Sequence, residues 1–376
     1  MMISRRQTLG FAAALAAMPA FARASASDPI IVNALGGLAN PNLQIGRPAG
    51  LAADTSRLDF DERALRDALA SGLTAVNITL GYVAGPQDPY TYTLETIDAW
   101  DKVIADNSGK LLLVRTAADI RRAKAQGKIG VIYGFQNAVQ IGEHAERVDE
   151  FAARGVRIVQ LTYNPANMLG DGSMVPENRG LSEQGRKVVA KLNAAKVMVD
   201  LSHSGERTCL DAIAASKTPI SINHTGCRAL TDLPRNKTDA ELRGVAEKGG
   251  FVGIYFMPFL APDSYAKADD VVAHIGHALN VCGEDHVGIG TDGSVATIDD
   301  MEAYRSAIAV EHEERKAAGI AAKGERADTH PFIIDLRGPD QFRKLTAMME
   351  AKGHKPRVIE KVLGANFVSY AERVWG

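Results

Sequence analysis

Two apolar patterns alternate along the chain. Short continuous runs fall at residues 30–32, 74–80, 128–135, 156–163, 197–203, 220–224, 251–256 and 286–292. Such runs suit strands buried on both faces, as in a parallel sheet covered by helices. Between them, apolar residues recur at helical spacing over 61–71, 117–125, 182–195, 205–216, 240–248 and 270–281. Gly72, Gly127, Pro219, Gly249 and Gly283 follow the ends of these stretches, where helices stop. Beyond Asp292 the pattern predicts helices over 301–319, 341–353 and 356–374. Eight strands separated by helices predict an α/β fold, a single (β/α)8 TIM-type barrel with C-terminal helices. The alternative is an open doubly wound sheet, which calls for a GxGxxG turn after its first strand. Leu35-Gly36-Gly37 is Gly-rich but lacks that spacing.

Composition adds limits. The chain has 376 residues, 46% apolar and 23% charged, with a formal net charge of −2. This is ordinary for a globular enzyme and offers no electrostatic case for nucleic acid. Residues 1–26 read as an export signal rather than as fold. Arg5-Arg6 precede a short apolar run over 9–20, then Ala22-Arg23-Ala24-Ser25-Ala26. Paired arginines point to the twin-arginine route and a periplasmic location, with an ordinary secretory signal as the alternative. The run is too short to span a bilayer, so no membrane span is expected in the mature chain. Residues 27–376 are expected to form the barrel domain. Cys209, Cys227 and Cys282 lack CxxC spacing and read as buried thiols.

In a parallel barrel the ligand site lies at the C-terminal strand ends. Read in order, those ends deliver Leu35-Gly36-Gly37, Gln136, Tyr163-Asn164, His203, His224 and Asp292. Two neutral imidazoles from adjacent strands can ligate a divalent cation such as zinc. Asp292 suits a general base that takes a proton from water; its bland reading is a helix N-cap. Arg235, in the loop after the His224 strand, suits a grip on a substrate carboxylate, with a surface ion pair as the alternative. His144, His312, His330 and His354 read as solvated, and His274 and His277 as packing residues.

At these residues the chain resembles the renal, or membrane, dipeptidase family of the amidohydrolase superfamily. The likeness rests on Leu161-Thr162-Tyr163-Asn164, Val199-Asp200-Leu201-Ser202-His203-Ser204, the stretch 219–230, Pro234-Arg235-Asn236 and His286-Val287-Gly288-Ile289-Gly290-Thr291-Asp292. The resemblance implies a (β/α)8 barrel that cleaves dipeptides with two zinc ions. His203 and His224 match ligands of the second metal, Arg235 the carboxylate-binding arginine, and Asp292 the aspartate that contacts the metal-bound water. The chain is a divergent member. Leu35-Gly36-Gly37 stands where the family has His-x-Asp, Gln136 where it has a bridging glutamate, and Tyr163 where it has a substrate-facing histidine. The first-metal ligands are therefore missing, and a mononuclear site is expected. Asp292 would complete a three-ligand set, to which Gln136 or Glu177 could add an oxygen. These features predict a metal-dependent hydrolase of dipeptides or related small amides, with a small-molecule substrate and no nucleic-acid partner. A homodimer is left open. The alternatives are a catalytically silent binding protein and a hydrolase or isomerase of changed substrate class.

Overall fold

The structure is a computed structural model that describes residues 28–45 and 58–376. The expected export signal over 1–26 lies outside the described residues. Among the described residues there are nine strands: β1 (Val32–Gly36), β2 (Ala75–Thr79), β3 (Leu111–Leu113), β4 (Ile129–Phe135), β5 (Val156–Gln160), β6 (Met198–Asp200), β7 (Ser221–Thr225), β8 (Phe251–Ile254) and β9 (Val287–Ile289). Helices α1 (Glu62–Ala70), α2 (Pro89–Asp106), α3 (Ala117–Ala125), α4 (Arg147–Ala153), α5 (Glu183–Ala194), α6 (Glu206–Ala215), α7 (Asp239–Glu247) and α8 (Ala268–Cys282) pack around them. Then come α9 (Met301–Ala317), α10 (Gln341–Ala351), α11 (Pro356–Glu360) and α12 (Asn366–Trp375).

Eight parallel strands run in the order β1-β2-β4-β5-β6-β7-β8-β9. The ring closes between β9 and β1, where the Asp292 amide donates to the Leu35 carbonyl at 2.9 Å and Gly37 bridges Ser294. This is the expected (β/α)8 barrel. β3 lies off the ring and pairs with the first half of β4. Its three leucines are too short a run to stand out beside longer apolar strands.

α2 and α4 also lie outside the expected helices, and β1 and the final helix depart from expectation in extent. β1 extends through Asn33 to Gly36, although an asparagine reads as a strand ending. The Asn33 side chain is buried in the seam, donating to Thr291 Oγ1 at 2.8 Å and accepting from the Thr291 amide at 2.8 Å. The final helix, expected to be continuous over 356–374, is split by a π-turn at Lys361–Ala365. Gly364 there abuts the chain entering β1, where an added Cβ would stand 2.5 Å from the Ile30 carbonyl oxygen.

α12 packs across the N-terminal end of the barrel. Phe367, Tyr370 and Trp375 join Val32, Ala75, Ile132, Ile158, Met198 and Phe251 in one buried apolar cluster. Phe251 meets Phe367 edge-on at 5.3 Å and stacks on Tyr370 at 6.1 Å. With that end sealed by apolar burial, the polar strand ends collect at the other. Among the described residues no helix is long and apolar enough to cross a membrane.

Candidate active site at the barrel mouth

His203 and His224 follow and end adjacent strands, β6 and β7, and the short spacing between those strands brings their rings together. Their Nε2 atoms lie 3.0 Å apart. Both side chains are buried. Burial, reinforced by the Arg235 guanidinium, holds both well below the usual histidine range, so both are neutral near pH 7. The Asn164 amide nitrogen donates to the Ile320 carbonyl at 2.8 Å, which turns its Oδ1 toward His203 Nδ1 at 2.7 Å. His203 Nδ1 therefore carries the proton, and its Nε2 lone pair faces His224. The Tyr163 ring stacks on His203 at 4.3 Å. His224 Nδ1 is buried without a hydrogen-bond partner among the described residues.

Asp292 arrives from the loop after β9 with φ at 58°. That left-handed conformation is sparsely populated outside glycine, Asn and Asp. It is not a helix cap: the next helix, α9, is capped by Asp300, whose Oδ1 accepts from the Ala303 amide at 2.9 Å. Burial pushes the Asp292 carboxyl up to about 6. Gln136 joins the groups, its Nε2 standing 3.3 Å from Asp292 Oδ1 and 3.5 Å from His224 Nε2. Thus four of the expected residues, His203, His224, Gln136 and Asp292, converge, and Tyr163 covers them.

The other expectations fare differently. Arg235 is not a surface residue. Its guanidinium is buried, donates to the Ser202 carbonyl at 2.5 Å and the His224 carbonyl at 3.4 Å, and lies over the Tyr255 ring. Glu177 is exposed in the loop between β5 and α5 and does not join the cluster. His274 is a packing residue as expected, accepting from the Cys227 amide at 2.8 Å. His312 and His330 are partly buried rather than freely exposed: both line a cavity over the mouth, because the chain beyond β9 folds back across the rim.

That return creates two chambers with Asp292 and Pro331 in the wall of both. One, of about 280 Å3, is bounded by Leu35–Gly37, Gln136, Phe332, Arg337 and Gln341. The other, of about 220 Å3, is bounded by Tyr163, His312, Arg315, Glu325 and His330. Arg315 of α9 donates to Tyr163 Oη at 3.2 Å and to Glu325 at 2.7 Å. None of these tail residues was expected at the site. The one available signal was the high polarity of the segment after β9.

The donor set can be tested against a metal. Two buried neutral imidazoles with facing Nε2 atoms, one of them backed by an amide oxygen, supply two of the ligands that a divalent cation takes. Leu35 and Gly37 offer no side-chain donor, so a second ion does not fit. Among the described residues no group of three His, Cys, Asp or Glu side chains is arranged to hold an ion. Asp292 thus does not complete a three-ligand set with the histidines.

Comparisons with known proteins agree with the barrel fold. The profile of the membrane dipeptidases, peptidase family M19, matches residues 51–314. An uncharacterized protein from the pqqA 5′ region of Klebsiella pneumoniae is 27% identical, over 77% of this chain and 98% of its own. A dipeptidase of Claviceps purpurea is 30% identical over 58% of this chain, which spans about half (53%) of that enzyme's length. Among solved structures, an amidohydrolase from Pseudomonas aeruginosa superposes with a TM-score of 0.75 at 34% identity, covering 93% of this chain and 98% of its own. A metallopeptidase from Rhodobacter sphaeroides, bound to a phosphinate mimic of L-Ala-D-Ala, shares the fold with a TM-score of 0.72 at 22% identity, over 93% of this chain and all (100%) of its own. The chain belongs to the membrane dipeptidase family.

Proposed function

We propose that the protein hydrolyses dipeptides or related small amides, using one divalent cation held by His203 and His224. The observation that carries this reading is the 3.0 Å approach of two buried, neutral imidazoles beside a carboxylate of raised pKa. Zinc is among the ions that suit imidazole donors. When bound, the cation supplies Lewis acidity toward a carbonyl and a water. The chain's own residues supply the rest. Asp292, poised near neutrality, accepts a proton from water and returns it to the departing amine. Gln136 steadies that carboxylate. Tyr163 covers His203 and excludes water from it. Arg235, fixed on two backbone carbonyls and lining neither chamber, anchors the His224 loop rather than the substrate.

One observation favours a second reading. The Gln136 amide lies within reach of both Asp292 and His224, a neutral donor that could hold the base idle in a binding protein. Metal content and turnover of a dipeptide and small-amide panel, measured on purified protein, separate the two. The hydrolase reading expects about one ion per chain, lost in His203→Ala together with activity. Asp292→Asn should keep the ion and lose at least about a hundredfold in turnover. A protein that takes up no ion and is indifferent to His203→Ala would end the reading. Tight binding without turnover would establish the second.

A further inference from the structure

The chamber bounded by Leu35–Gly37 occupies the place where the dipeptidase resemblance puts the first pair of metal ligands. With no side-chain donors on that stretch, the space is open, and the C-terminal tail adds Arg337 and Gln341 to the polar strand-end residues that line it. Arg337 is partly buried there. Its Nη2 donates to the Ala296 carbonyl at 3.1 Å, and its guanidinium lies 4.3 Å from the Phe332 ring centre. Its Nε is buried without a hydrogen-bond partner, and no carboxylate pairs with it among the described residues. Asp335, the acid nearest in sequence, accepts from the Ala268 amide, and Asp340 is engaged by Arg343 at the surface. Gln341 is 3% exposed, lines the same chamber, and leaves its Nε2 without a partner among the described residues. It is also the first residue of α10, an 11-residue helix whose positive end therefore borders the chamber.

Buried donors and guanidinium charges are ordinarily matched by acceptors. Here a guanidinium without a carboxylate partner among the described residues, an unpartnered amide and a helix N-terminus meet at one cavity, whose other walls include Asp292, Phe256, Ile298 and Leu336. We propose that this chamber binds a carboxylate attached to a small apolar group, with Arg337 and Gln341 as its donors. The assignment rests on the small-amide reading of the site. It places the substrate's acid end across Asp292 from the Arg315 chamber, and away from Arg235.

The test uses two probes that need no turnover, N-acetyl-L-phenylalanine and its C-terminal amide, titrated calorimetrically into the full chain. The acid should bind at least about tenfold more tightly than the amide. Arg337→Met should abolish that preference by weakening the acid alone. Gln341→Leu should weaken the acid about threefold. Equal binding of acid and amide by the unaltered protein overturns the proposal even if Arg337→Met fails to fold. A preference that survives in Arg337→Met overturns it as well. Preference lost in Arg337→Met without any dipeptide turnover leaves the subsite standing and the hydrolase reading refuted. Turnover with no effect of Arg337→Met does the reverse.

Discussion

Asp292 joins a left-handed backbone, a buried carboxylate and a position in the wall of two chambers. Its raised pKa has a consequence for stability as well as for catalysis. An unfolded aspartate titrates near ~3.9, so the folded protein binds the extra proton between about pH 4 and 6. Stability linked to Asp292 is therefore full below pH 4 and lost as pH rises through about 6. In chelator-treated protein, Asp292→Asn should raise stability by on the order of 2–3 kcal/mol at pH 8, with no gain at pH 4. Thermal melts across that range check this; a gain independent of pH would refute it. His203, His224 and Asp292 were legible because a parallel barrel sends strand ends to one rim. The role of Arg235 was not. Its loop suggested a grip on a substrate carboxylate or a surface ion pair, yet the side chain turns inward onto the Ser202 and His224 carbonyls.

At the scale of elements, α9 is unusual. It has 17 residues, and Tyr304 is its one buried side chain. A helix with so little apolar anchorage depends on polar ties. The Arg315–Glu325 pair and the Arg315–Tyr163 hydrogen bond supply them, since both charged side chains are largely shielded from water. Arg315→Met should speed hydrogen exchange across residues 301–330 and raise KM about tenfold, by loosening the cover of the mouth. Unchanged exchange there would show that apolar contacts suffice. Elements legible from pattern were those with long apolar repeats. α2 escaped notice because threonines and tyrosines dilute its periodicity. Only its Asp88-Pro89 start marks it, with Asp88 Oδ1 accepting from the Thr91 amide at 2.8 Å.

At the scale of the molecule, the barrel is closed at one end by α12 and covered at the other by the segment after β9. Gly364 is the joint at the closed end. Its backbone is extended, so the need for glycine is one of close approach rather than dihedral angle. Gly364→Ala should cost about 1–3 kcal/mol by pushing α12 from β1, with kcat of the folded enzyme unchanged. A melting temperature equal to the parent's would show that the joint yields. The alternation of apolar runs and helical repeats determined the barrel, because strands enclosed by helices must be apolar on both faces. Strand-end chemistry likewise gathered His203, His224, Gln136 and Asp292 at one rim, while the missing donors at Leu35 and Gly37 followed from the dipeptidase resemblance. Only the tertiary structure decided what covers that site. Arg315, Arg337 and Gln341 come from a tail whose local pattern specifies helices but not the surface they pack on. Long-range contacts made that choice, and with it the two chambers.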